Sequence, residues 1–240
     1  MKQLLGVFGL EYQLRRSKRR KTVEIQVRPE GVRVLAPESV SQRWIDEFVA
    51  SRRVWIETRY AELRRQLQLI ETRQAELTDA SQVLYRGVEY PLQIQADADQ
   101  SQVGFSDECI SVAISRRVRK SKQDACRQLL EGWLRQQAEA VFAERVGEWS
   151  SRMALFPASI KVKSFRRKWG CCDSRAEVRF NWLLIMAPDD VLNYVVIHEL
   201  AHLQHMNHSA AFWSLVSRYC PGYKRQQNWL KQQGATLVLP

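Results

Sequence analysis

Apolar and polar positions alternate with period two in "TVEIQV" (22–27), give way to the turn sequence "RPEGV", and alternate again in "VRVLAP" (32–37). The pattern predicts a β-hairpin, because successive side chains of a strand point to opposite faces. From residue 41 to about 76 the period lengthens: Trp44, Ile45, Phe48, Val49, Val54, Trp55 and Ile56 precede a charged, glutamine-rich stretch without Gly or Pro. A helical region is expected there, broken near Ser51. Short strand-like runs return in "VLYRG", "YPLQIQA", "QVGFS" and "CISVAIS", punctuated by Gly, Asp and Ser. Residues 121–150 then carry Leu129, Leu130, Trp133, Leu134, Ala138, Val141, Phe142 and Val146 near helical spacing, the core-facing stripe of one long helix. "EVRFNWLL" (177–184) reads as a further strand. No repeat or low-complexity linker interrupts the chain. The expected architecture is α+β: a β-rich N-terminal region with a helical segment over 1–120, and a second domain over 121–240, with the boundary near 117–122.

The most informative element follows Pro188. Asp189 and Asp190 stand in its first turn, where carboxylates complement the helix dipole, and positions 191–203 are apolar on nearly every side. A helix that is apolar all round is a buried helix. His198, Glu199 and His202 are therefore expected inside the protein, where polar groups are costly unless something satisfies them.

Spacing identifies what could satisfy them. All four histidines of this 240-residue chain fall in "HELAHLQHMNH", residues 198–208. Side chains four apart share a helical face, with Cβ atoms roughly 5–6 Å apart, so His198 and His202 can reach one ion about 2.0–2.1 Å from each nitrogen. Glu199 projects beside that clamp, within reach of a water held by the ion. This is the H-E-x-x-H arrangement of zinc metallohydrolases. A third ligand is needed. In a continuing helix His205 would stand about 10 Å along the axis from His198, too far to share the ion. His208 serves if the helix stops at "MNHS", since Asn tolerates the left-handed closing conformation and Ser209 can cap the next helix. No Asp or Glu follows His208, which removes zincins that use a downstream glutamate. The H-E-x-x-H-x-x-G-x-x-H spacing is met at its ends, but His205 occupies the Gly position and no Met follows.

Composition adds limits and rivals. With 45% apolar residues the chain can bury a core, and no run of eighteen apolar residues exists to span a membrane. Five cysteines without CxxC spacing fit reduced thiols, and a cytoplasmic location is expected. The net charge of +11 is concentrated in "RRSKRRK" (15–21), "RRVRKSK" (116–122) and "KVKSFRRK" (161–168). Such runs are either solvated faces or contacts to anions, nucleic acid included. Arg166, Arg167 and Lys168 are a candidate anion patch at the rim of a cleft, and "EVRFNWLL" a candidate for binding an extended peptide by strand addition. Trp169, Phe212 and Trp213 read as core around the site, Cys172 as a buried thiol, and Tyr219 and Tyr223 as packing residues rather than oxyanion donors.

"KWGCCDS", "FNWLLIMAPDDVLNYVVIHELAHLQHMNHSAAFW" and "CPGYKRQQNWL" resemble the YgjP-like metallopeptidases, relatives of the SprT-like zinc proteases. The likeness is specific over about 161–231 and looser over the N-terminal hairpin and helix. It implies a zincin-like C-terminal domain, Zn2+ on His198, His202 and His208, and Glu199 as catalytic acid–base. This chain departs from the family pattern with Cys171 where Ser is usual and "RAE" where a Gly-containing turn is usual.

Three functions are compatible with these observations. The first is a zinc metallopeptidase acting on a protein or peptide. The second is a metal-dependent nucleoside triphosphate pyrophosphatase, since some YgjP-like proteins are associated with UTP pyrophosphatase activity. The third is a non-catalytic, zinc-containing module that contacts nucleic acid through its basic runs. It ranks last because structural zinc sites normally have four protein ligands and no adjacent glutamate.

Overall fold

The computed structural model describes residues 3–7, 10–73 and 76–239, and the chain divides into two compact units, Met1–Leu69 and Ile70–Pro240. In the first, β1 (Gln3–Val7), β2 (Leu10–Ser17), β3 (Glu24–Arg28) and β4 (Gly31–Pro37) form one sheet in the order β1-β2-β4-β3. The predicted hairpin is β3–β4, antiparallel, turning at Gly31 with φ +128°. Helices α1 (Gln42–Ser51) and α2 (Arg53–Arg73) follow with the expected break, at Arg52; residues 74 and 75 of the predicted helical region lie outside the described residues. Ser41 caps α1 by accepting from the Trp44 N–H. Ile45, Val49 and Ile56 join Tyr12, Leu14, Val32, Val34 and Ala36 in a small separate core.

The second unit begins earlier than the predicted boundary near 117–122. β5 (Gln82–Tyr85), β6 (Val88–Ala98), β7 (Gln102–Phe105) and β8 (Ile110–Ser115) form a sheet in the order β5-β6-β8-β7. Its buried residues Val83, Leu92, Ile110, Val112 and Ile114 share one hydrophobic core with Leu130, Leu134, Phe142 and Val146 of α3 (Lys122–Met153). Those strands bury the alternate residues of β8 against the helix, so the core they help build sets the unit's extent.

A third sheet holds β9 (Ser159–Lys163), β10 (Gly170–Cys172) and β11 (Glu177–Asn181) in the order β10-β11-β9. The expected strand over 177–184 is shorter than predicted: Trp182–Met186 winds into a 3-10 turn, started by the Asn181 side chain accepting from Leu183 N–H. β11 is also the middle strand, antiparallel to β10 and parallel to β9. Strand addition to "EVRFN" is thereby excluded, because both of its edges are already paired. Phe180 of β11 stacks on Phe142 of α3 at 4.4 Å between ring centres, both fully buried.

Helices α4 (Asp189–Ala201), α5 (Ala210–Tyr219) and α6 (Tyr223–Gln233) complete the unit. α4 is buried on nearly every side, as its sequence requires. Its first-turn Asp189 receives a bidentate contact from Arg86, and its entry at Pro188 lies against Gly87. At φ +82°, and with Pro188 2.9 Å from where a Cβ would stand, Gly87 is fixed twice over.

Candidate metal centre

The candidate site is built on the last turn of α4. His198 and Glu199 lie on the helix, and His202 is the residue that closes it, still in right-handed helical conformation. The two imidazoles are 5.0 Å apart between ring centres, as an i, i+4 pair should be. Beyond His202 the chain leaves the helix: Leu203 N–H bonds Leu200 O, and both Gln204 and His205 N–H bond Ala201 O. Ser209 then caps α5 by accepting from Phe212 N–H, the cap predicted from sequence. Between stop and cap, His208 is carried back over α4, and its Nε2 sits 3.1 Å from Nε2 of His198.

One ligand atom from each of His198, His202 and His208 lies within 4.8 Å of the other two, so these three could hold a metal ion. Nitrogens bound about 2.0–2.1 Å from one tetrahedral ion stand about 3.4 Å apart, close to the His198–His208 separation. The donor chemistry also fits. Burial, reinforced by the neighbouring His202 and His208, pushes His198 down to about 3, and burial lowers His202 as well. Unprotonated imidazole is the form that ligates.

His205 is not part of the trio. Its backbone carbonyl accepts from Nδ1 of His202 at 3.0 Å, which fixes that ring's tautomer and leaves Nε2 as the free lone pair. Phe212 packs against all three rings, with centroid distances of 4.6–4.9 Å. Trp213 stacks on His208 on one face and Tyr223 on the other. Phe212, Trp213 and Tyr223 thus pack, in line with the sequence reading.

Glu199 is 4% exposed and its Oε2 has no hydrogen-bond partner. Burial pushes this carboxyl up to about 8, against the opposing pull of the Lys168 charge. An unpartnered buried carboxyl of this kind is a strong mark of a functional site.

The residue that makes room for it is Gly170, at the start of β10. A Cβ there would stand 2.5 Å from Glu199 Oε1 and 2.8 Å from its Cγ. The sequence marked this glycine only as part of "KWGCCDS"; the close approach is a tertiary fact. The segment before it is pinned as well. Buried Asn181 donates its side-chain amide to Phe165 O (3.1 Å) and Lys168 O (3.4 Å), and its backbone N–H to Trp169 O (2.7 Å). Cys172, two residues further along β10, is a thiol pushed up to about 11 chiefly by burial, with Glu199 adding to the shift. It lies outside the histidine trio.

Residues 21–233 match the family described as YgjP-like, metallopeptidase domain. The chain belongs to the YgjP-like metallopeptidase family. No curated protein matches the chain. Two solved structures are similar over part of it: the metallopeptidase zymogen of Pyrococcus abyssi abylysin (16% identity, TM-score 0.36, 38% of this chain and 93% of that one) and that of Methanocaldococcus jannaschii jannalysin (18%, 0.35, 38% and 95%). For a YgjP-like domain the three histidines supply what the family requires, a place for a metal ion. Among the described residues no helix is long and apolar enough to cross a membrane.

Proposed function

We propose that this YgjP-like chain is a cytoplasmic zinc-dependent peptidase of the zincin type, with His198, His202 and His208 as zinc ligands and Glu199 as general base and acid. The observation that carries the reading is the convergence of three imidazoles on one point beside a buried, unpartnered carboxyl. Three neutral nitrogen donors with no fourth protein ligand among the described residues match a catalytic zinc site, which keeps one position open. When bound, zinc supplies Lewis acidity, polarising a carbonyl and lowering the pKa of a coordinated water towards about 7.

The chain's own residues do the rest. The His205 carbonyl holds His202 in one tautomer, and α5 holds His208 through the Ser209 cap. Glu199 is set to take a proton from water and return it to the leaving amine. Its burial raises the carboxyl, while positive charge at the histidine trio would pull it back towards the neutral range a proton shuttle needs. Gly170 keeps Oε1 in place with no side chain between. β10, beside Glu199, is one of the two outer strands of its sheet, so an extended peptide would have a backbone to align on there.

The test is metal content together with turnover. Purified protein should hold one zinc and cut an unstructured protein such as casein. Glu199→Gln should keep the zinc and lose roughly 10²–10⁴-fold in rate, the usual worth of a general base. A wild-type protein that retains zinc yet never cuts a broad peptide library would overturn the proposal.

A further inference from the structure

Three consecutive cations, Arg166, Arg167 and Lys168, are exposed and line a cavity of about 520 Å³ together with Phe165. Their neighbours do not neutralise them. Asp173 and Glu177 are already engaged by Arg175, Arg179 and Lys161. Among the described residues, none of the three cations forms an ion pair. Unpaired basic runs are common on solvated surfaces, so charge alone would mean little. What distinguishes this one is that it is held rigid and close to Glu199.

Rigidity comes from both ends. The Asn181 amide ties down Phe165 O and Lys168 O. Ser164 accepts from Trp182 Nε1 (3.2 Å) and from Arg135 (2.8 Å), while Arg135 lies over the Trp182 ring. At the far end, Trp169 fills the space above Gly234, where an added Cβ would meet it at 2.7 Å. Closeness follows from chain length. Gly170 touches the Glu199 carboxyl, and Arg166 is four residues upstream, so their Cα atoms are at most about 14 Å apart. A bound extended peptide covers that span in about four residues.

We propose that Arg166, Arg167 and Lys168 form a subsite that selects substrates bearing Asp or Glu within about four residues of the bond that is cut. The inference rests on the peptidase reading above and adds the substrate class to it. A field from three unpaired cations carried on a pinned backbone just before β10 favours a carboxylate there and disfavours a lysine. Because the cations are exposed, salt weakens the effect, with a screening length of about 8 Å at physiological ionic strength.

Cut sites mapped by mass spectrometry in a digested unstructured protein should be enriched in Asp or Glu on one side of the bond. For matched synthetic peptides with Glu or Gln at that position, the kcat/KM ratio should be about tenfold at low salt. It should lie mainly in KM and shrink towards one at 0.5 M salt. The Arg166→Gln, Arg167→Gln double variant should collapse the Glu/Gln ratio, whatever happens to the absolute rates. Anisotropy of the same labelled peptides on the Glu199→Gln protein should show the same preference in binding. If the wild-type protein cuts peptides with no acidic preference, or the double variant keeps the ratio, the subsite is refuted and the peptidase reading stands. If no peptide is cut while a nucleoside triphosphate is hydrolysed with release of pyrophosphate, both fall and the loop is a phosphate site.

Discussion

Replacing Gly170 by Ala isolates the placement of Glu199 from every other feature of the site. The new methyl would stand 2.5 Å from Oε1, 2.8 Å from Cγ and 2.9 Å from Cδ of Glu199. Carbon–oxygen contacts relax to about 3.3 Å, so the carboxyl must retreat by roughly 0.8 Å or β10 must move away. Gly170 does not occupy the left-handed region, so backbone strain does not enter and only the lost space is at issue. A misplacement of about 1 Å at a reacting centre costs on the order of 10²-fold, or roughly 2.7 kcal/mol of transition-state stabilisation. Overpacking should also cost about 1–3 kcal/mol of stability, which unfolding in urea would measure. The assay is kcat on a cleaved peptide at a temperature where the variant is folded, with zinc content measured on the same sample. Zinc should remain at one per chain, since no ligand is touched. A Gly170→Ala protein that cuts the peptide at the wild-type rate would refute the placement of Glu199 argued from this contact.

The remaining predictions concern the ligands, the turn after β10 and acid stability. His208→Ala should lose zinc on dialysis, whereas His205→Ala should retain it, because only the His205 backbone carbonyl is used; equal zinc content in the two variants would contradict the ligand set. Ala176 has φ +58° in the turn between β10 and β11, a conformation that costs a non-glycine residue about 1–2 kcal/mol. Ala176→Gly should therefore raise the Tm, after the entropy loss of glycine takes back part of the gain, and a lower Tm would show the turn unstrained. Glu177 is held down to about 2, first by the hydrogen bond from Lys161 and then by Arg179, and Asp189 is lowered by Arg86. Carboxyls whose folded pKa lies below the unfolded value stabilise the fold above about pH 4.3 and lose that contribution as pH falls towards 2. Tm should drop across that window, and Lys161→Met with Arg179→Gln should flatten the drop; an identical pH profile in the double variant would show that these contacts contribute nothing.

The legible parts of this molecule are those where local geometry and chemistry coincide. His198 and His202 could be paired from sequence because a helix puts residues four apart on one face, whatever surrounds it. Ser209 could be read as the start of the next helix because its side chain caps α5, whereas the stop expected at Asn207 comes earlier: α4 ends at Ala201, and Asn207 does not take the left-handed conformation. The two-unit division was not legible. Nothing in the composition between 53 and 122 changes where the compact units part, and a period-two strand does not say which helix will cover it. β8 buries its alternate residues under α3, and that pairing exists only in three dimensions.

The same distinction explains why the strand expected to align a substrate was misassigned. "EVRFN" is apolar at alternate positions because Val178 and Phe180 face the core under α3, and that alternation is silent on whether its two edges are paired. Of the two outer strands, the one beside Glu199, Gly170–Cys172, is three residues long and has no periodicity to read. Its identity comes from contact: a glycine without which Glu199 has no room, with the partly buried Cys172 thiol two residues on and a pinned basic loop before it. The histidines say that a metal ion can be held, and the sequence alone reaches that far. What the metal ion would act on is decided by the short stretch 164–172, where every functional property depends on a neighbour distant in sequence. Substrate choice in this chain is therefore better tested by altering that stretch than by altering the ligands, whose loss would abolish turnover and leave selectivity unmeasured.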